Sequence, residues 1–216
     1  MLKQEFTLKN PMRVLQKATQ GGLGKGNLGV FMARAGVGKT ACLIHVALDS
    51  LFKNQKVAHV GIGESIEAIQ VWYNEILSDL CASFNIQDPH KIGEDLEDLS
   101  RDGGFFPEVL LIDGFDFTKE DSAWDTLAAF EHVAKERALE IWFSARTHRG
   151  SKIINERGIP APCHEVDDLF SVIIFLDPQP DAIHLKLLKD HKKPLRQELS
   201  IRLNPNTLLL MDEEPL

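Results

Sequence analysis

The chain has 216 residues, 44% apolar and 26% charged, enough to bury the core of one α/β domain. Its net charge is −8, from 32 acidic against 24 basic residues, which argues against a nucleic-acid binder driven by bulk electrostatics and leaves only a local basic groove. Cys42, Cys81 and Cys163 form no CxxC pair and the eight histidines no HExxH spacing, so neither a secreted disulfide framework nor a zinc site is expected.

Met1 to Asn10 has no apolar h-region, and the longest strongly apolar stretch, Phe170 to Leu176, is too short to cross a bilayer. The expectation is a cytoplasmic protein with free thiols and no membrane partner. The first helix is readable from its ends: Asn10 caps it, Pro11 fits the first helical position, and Gly21-Gly22 stops it after Gln20.

From Leu28 strand and helix patterns alternate. Apolar runs at Leu28–Ala33, Val57–Gly61, Val109–Asp113, Ile141–Ser144 and Val172–Leu176 predict buried strands. Helical stretches at Thr40–Phe52, Ile66–Phe84 and Ser122–Arg137 lie between the first four. Trp72 and Tyr73 fit the core face of the second of these. Gly93 to Pro107, with Asp102-Gly103-Gly104, predicts an exposed acidic helix and a loop. Ile183–Leu188, Glu198–Leu203 and Thr207–Met211 predict short strands separated by turn residues. The fold class that follows is α/β, a mostly parallel sheet flanked by helices with a C-terminal antiparallel extension.

The strongest chemical signal is Ala33-Arg34-Ala35-Gly36-Val37-Gly38-Lys39-Thr40, which follows a strand and opens a helix. Gly36 and Gly38 permit the tight turn that points successive N–H groups, from Ala35 through Ala41, at phosphate oxygens. The helix N-terminus adds partial positive charge. Lys39 reaches the β- and γ-phosphates, and the Thr40 hydroxyl is a ligand for Mg²⁺. No Asn-Lys-x-Asp guanine-reading motif occurs, which favours ATP.

Val109-Leu110-Leu111-Ile112-Asp113 delivers a carboxylate to the same sheet edge, where Asp113 would hold Mg²⁺ through water. Asp116 is either a partner behind it or a turn residue. Gly61-Ile62-Gly63-Glu64-Ser65 at the end of the Val57–Gly61 strand places Glu64 at the same sheet edge; it is either the group that activates water or an acid favourably placed at a helix start.

Gly21-Gly22-Leu23-Gly24-Lys25-Gly26-Asn27-Leu28, with Ala33-Arg34 and Gly38-Lys39-Thr40, resembles the DnaB and KaiC branch of the RecA-like ATPases. The resemblance implies one RecA-like domain over residues 1–216, an ATPase core without the separate N-terminal domain of a replicative helicase. It implies that Glu64 is the catalytic base and that the chain forms a ring or filament-like homo-oligomer with ATP between subunits. Ser144 and Arg146 take the place of a nucleotide sensor, where helicases carry Ser-Gln-Leu. Lys189 and His191 match a Lys-x-Arg pair that reaches the neighbour's γ-phosphate, with His in place of Arg.

Arg146, Arg149, Lys152 and Arg157 form a basic loop that either tracks nucleic acid or is a solvated or subunit-contacting segment. No aromatic is interleaved to stack on bases. Lys189, Lys192, Lys193 and Arg196 form a second basic run, which a polar turn ending at Pro194 explains equally well. Three readings follow: a slow Mg²⁺-dependent ATPase, a nucleotide-dependent switch or scaffold, and a DNA-dependent motor, the last opposed by the acidic charge. A small-molecule kinase is opposed by the Gly-Gly-Leu approach and by the lack of an Arg-rich lid.

Overall fold

The computed structural model describes residues 10, 12–19, 21–83, 105–118, 120–147, 153–193, 195 and 199–212. Met1 to Lys9, Pro11, Gln20, Phe84, the acidic stretch from Gly93 to Gly104, Arg149, Lys152, Pro194, Arg196 and Glu198 lie outside them.

The first helix, α1 (Met12–Ala18), begins where Asn10 Oδ1 accepts the Met12 N–H at 3.0 Å, the expected cap. Asn10 also donates to Asp49 at 3.3 Å, and Arg13 and Lys53 pair with the same carboxylate. Strand β1 (Asn27–Ala33) leads into α2 (Lys39–Phe52), β2 (Val57–Gly61), α3 (Ile66–Ser83) and β3 (Val109–Asp113). Then come α4 (Glu120–Arg137), β4 (Glu140–Arg146), β5 (Val172–Pro178), β6 (Ile183–Asp190), β7 (Ile201–Leu203) and β8 (Leu210–Asp212).

All eight strands form one sheet in the order β2-β3-β4-β1-β5-β6-β7-β8. The first five positions are parallel, and β6, β7 and β8 continue antiparallel. The expected parallel sheet with an antiparallel extension is what forms.

One face of the sheet packs Phe31, Leu111 and Trp142 against α2, with Ile76 and Leu80 of α3 joining them. The other packs Val30, Met32 and Phe143 against Leu127 and Ala134 of α4. This two-sided burial explains why the central strands read as continuous apolar runs. Gly29 is required by packing: a Cβ there would lie 2.6 Å from the Trp142 ring, which stacks on Phe31 at 4.9 Å.

Two expectations are corrected. The Val57–Gly61 strand is half-buried rather than buried, because β2 ends the strand order and pairs with β3 alone among the described strands. The last strand is shorter than Thr207–Met211. Asn204 Oδ1 accepts the N–H groups of Asn206 and Thr207 at 2.8 and 3.3 Å, so Asn204 to Leu209 form a turn and pairing begins at Leu210.

The turn reaches α2 through His45. Its Nε2 lies 2.9 Å from the Leu208 carbonyl and 3.3 Å from the Leu210 nitrogen, while its buried Nδ1 has no hydrogen-bond partner. Burial pulls the imidazole from 6.5 down to about 4, against smaller opposing effects of the Leu208 carbonyl and Asp49. The unfolded chain therefore takes up this proton before the folded one does. Its contribution is fully present above pH 6.5 and is lost as pH falls towards 4. Stability in urea is expected to drop by about 2 kcal/mol from this group between roughly pH 7.5 and 5, and His45→Gln to flatten that slope. Equal slopes in the two proteins would assign the effect elsewhere.

Candidate nucleotide-binding site

The site lies at the edge where the parallel strands end. After Ala33 the chain turns through Gly36 (φ 75°) and Gly38 (φ 99°), left-handed conformations that favour glycine, and α2 starts at Lys39. Gly38 caps α2 without a side-chain hydrogen bond, so the first N–H groups of the helix are left for a ligand. A Cβ on Gly36 would meet nothing within 4 Å, so the loop is an open cradle on this side. Behind it a Cβ on Gly38 would lie 2.4 Å from Leu203 Cδ2 and 3.9 Å from Leu208 Cδ2. The antiparallel extension thus supports the phosphate loop from below.

Lys39 Nζ donates to the Arg34 carbonyl at 3.0 Å, closing the loop on itself. Burial pulls the ammonium below the ordinary lysine value; Asp113 opposes this, and Arg146 adds to it. The Thr40 hydroxyl donates to Asp113 Oδ2 at 2.6 Å. Ser144, buried on β4, donates to the other Asp113 oxygen and accepts the Gly114 N–H at 3.0 Å. The register explains the meeting: β3 and β4 pair to Ile112–Phe143, so Asp113 and Ser144 are the next residues on adjacent strands.

A cleft of about 530 Å³ joins these groups to Glu64. It is lined by Ala35, Lys39 and Thr40, by Ile62 and Glu64, by residues 113–118, and by Ser144, Arg146 and Pro162. Glu64 is exposed, in the short loop between β2 and α3. Ile62 N–H donates to the Asp113 carbonyl at 2.8 Å, fixing the start of that loop to the end of β3. Asp116 Oδ1 accepts from the Thr118 N–H and hydroxyl at 3.0 and 2.6 Å, the turn role, one of its two readings.

Phe115, Phe117, Thr118 and Pro162 were not singled out in the sequence. Phe115 and Phe117 are anchored by edge contacts to Phe143, 5.6 and 6.2 Å between centroids. The alternating Phe115-Asp116-Phe117 pattern after the acid was the available signal.

The other candidates lie apart. β6 runs antiparallel, and Asp190 sits beside Val172 at the start of β5, so Lys189 and His191 are at the opposite sheet edge. Lys189 Nζ donates to the Asp167 carbonyl at 2.6 Å. The His191 ring nitrogens face Asp190 Oδ1 at 2.7 Å and the Leu23 carbonyl at 3.0 Å. Arg157 pairs with Asp167 at 2.8 Å and with Asp168. Lys192 and Lys193 are exposed beside them.

The left-handed phosphate loop, the inserted β4 strand and the acid at the end of β3 define a RecA-like fold. Consistent with this, the chain resembles the crystal structure of the RadB recombinase at a TM-score of 0.61, covering 94% of this chain and 97% of that one. Sequence identity is 15%, so the likeness is one of fold, and it does not favour the DnaB and KaiC branch. No protein-family model matches the sequence, nor does any curated protein. Among the described residues no helix is long and apolar enough to cross a membrane, and none forms a group of three or more His, Cys, Asp and Glu suited to a metal.

The residues present fit a nucleoside triphosphate with Mg²⁺: a helix start with no side-chain cap, a partly desolvated Lys39, and the Thr40 and Asp113 oxygens side by side. Lys39→Ala is expected to weaken binding of a fluorescent ATP analogue at least about tenfold, as loss of a charge-assisted contact implies. Unchanged affinity would remove the loop from the binding site.

Proposed function

We propose that this chain is a Mg²⁺-dependent ATP-binding RecA-like module with slow hydrolysis, acting as an assembling or partner-regulated unit in the reducing cytoplasm. The observation that carries the reading is that Lys39, Thr40, Asp113 and Glu64 line one cleft.

In this reading the phosphate loop and Lys39 hold the triphosphate, and Thr40 and Asp113 hold Mg²⁺, which neutralises phosphate charge. Ser144 keeps the Asp113 carboxylate turned towards Thr40. Glu64 orients and deprotonates the attacking water. Catalysis is then positioning plus charge stabilisation. Arg146, exposed at the end of β4 opposite Ala33, is placed to sense the terminal phosphate together with Ser144. The branch assignment to DnaB and KaiC relatives, and residues 1–216 as one domain, rest on the Gly21–Thr40 resemblance and on one sheet running through all the described strands.

One observation favours a second reading, a nucleotide-dependent switch or scaffold with little turnover. Lys189 and His191 are engaged within the chain, so neither is a free cation for a neighbour's γ-phosphate. Arg157 is likewise paired with two aspartates, which counts against the DNA-dependent motor.

Glu64→Gln is expected to lower ATP turnover about a hundredfold or more while leaving ATP binding intact, the size of effect a general base supplies. Unchanged turnover would reject Glu64 as the base. Sedimentation with and without ATP tests assembly: a monomer in both conditions would reject the oligomeric reading.

A further inference from the structure

Glu64 is carried by two elements, the end of β2 and the start of α3. The β2 side is fixed at Ile62, whose N–H meets the Asp113 carbonyl. The α3 side is less well held. Its fully buried side chains, Ile76, Leu80 and Cys81, all lie in its C-terminal half, and its first residue, Ile66, is 73% exposed. Locally, Ser65 Oγ accepts the Ala68 N–H at 3.2 Å and caps the helix.

Two contacts join the N-terminal half of α3 to β2. Ile69 lies against Gly61, where a Cβ would be 2.4 Å from Ile69 Cδ1. One helical turn further on, the Tyr73 hydroxyl and His59 Nδ1 are hydrogen bonded at 3.0 Å, with the rings edge-on at 5.7 Å. The spacings match: Ile69 and Tyr73 are four apart on one helix face, and Gly61 and His59 two apart on one strand face. In the β2–β3 register Gly61 is beside Asp113 and His59 beside Leu111, so the pair lies one step below the metal-side carboxylate.

We propose that His59 and Tyr73 are positioning residues for ATP hydrolysis, whose hydrogen bond docks α3 on the sheet and so sets Glu64 over the Thr40–Asp113 centre. This rests on Glu64 being the base. Burial pulls His59 below the ordinary histidine value and pushes the Tyr73 hydroxyl up, so both stay neutral near pH 7 and the bond is one between uncharged groups. Such a tie orients without adding charge to the site. Neither residue lines the cleft, so losing the bond affects the chemical step and leaves nucleotide affinity alone.

The test uses Tyr73→Phe, His59→Leu, the double variant and His59→Gln, which retains donor and acceptor capacity. The two single variants are expected to lose about tenfold in kcat with the affinity for a non-hydrolysable ATP analogue unchanged. The double variant should be no worse than either single, and His59→Gln should recover most of the rate. Wild-type kcat in both singles, additive losses in the double, or a parallel loss of affinity would overturn the proposal. Hydrogen exchange at the Ala68 and Ile69 amides gives a second readout independent of turnover. Exchange severalfold faster in Tyr73→Phe, with α2 unaffected, supports the docking role, and unchanged exchange overturns it. If wild-type protein binds ATP without turning it over, the base assignment fails while this second readout still decides the docking.

Discussion

The constraint on which the site depends is the Asp113 carboxylate clamped between two hydroxyls, Thr40 on one oxygen and Ser144 on the other. Asp113 is buried, and a buried carboxylate is costly unless its lone pairs are met. Two hydroxyl donors meet them without adding charge. The clamp also sets geometry, because Thr40 arrives on α2, Asp113 on β3 and Ser144 on β4. Three elements remote in sequence are held at one sheet edge within hydrogen-bond distance. The same strand end carries the Gly114 N–H to Ser144 and the Asp113 carbonyl to Ile62, so the loop bearing Glu64 is referred to the same point.

The two halves of the sheet divide the work. The parallel strands bring their ends to the cleft, as open α/β sheets do. The antiparallel strands bring no residue to it, yet they hold the phosphate loop in place. Leu203 and Leu208 fill the space under Gly38, and His45 joins α2 to the turn that carries Leu208. A loop rich in glycine has little side-chain packing of its own, so its conformation must be imposed from outside. Here that support is apolar contact from one side and the Lys39 bond to Arg34 from the other.

Much of this was legible in the sequence, and the reasons are local. Strands β2 and β3 fall at the residues their apolar runs mark, and the phosphate loop is a contiguous motif whose glycines have one conformational purpose. The partnership of Ser144 with Asp113 was not legible, because it depends on β4 lying between β1 and β3. Tyr73 read as a core residue on an amphipathic helix. It does pack against the core, but its hydroxyl meets a histidine on a strand fourteen residues earlier, a pairing that periodicity does not specify. The last strand starts later than its apolar run predicts because Asn204 captures two backbone N–H groups that an extended strand would have offered to a partner.

The placement of cations bears on how the proposed site would divide binding from hydrolysis. Phosphoryl transfer gains most from positive charge at the terminal phosphate, where an arginine is worth several orders of magnitude in rate. Among the described residues Arg146 is the arginine that lines the cleft, and Lys39 the lysine. Arg157 and Lys189 are drawn into the segment that returns from β4 to β5, bonded to Asp167 and Asp168 at the far edge. These contacts tie that return to β6. In the proposed reading, a site with its loop, hydroxyl and acid in place, and with Arg146 as its one arginine among the described lining residues, would bind triphosphate better than it cleaves it. Under the same proposal, occupancy would be set by the chain, and turnover by a partner docking against the exposed side of Glu64 and Arg146.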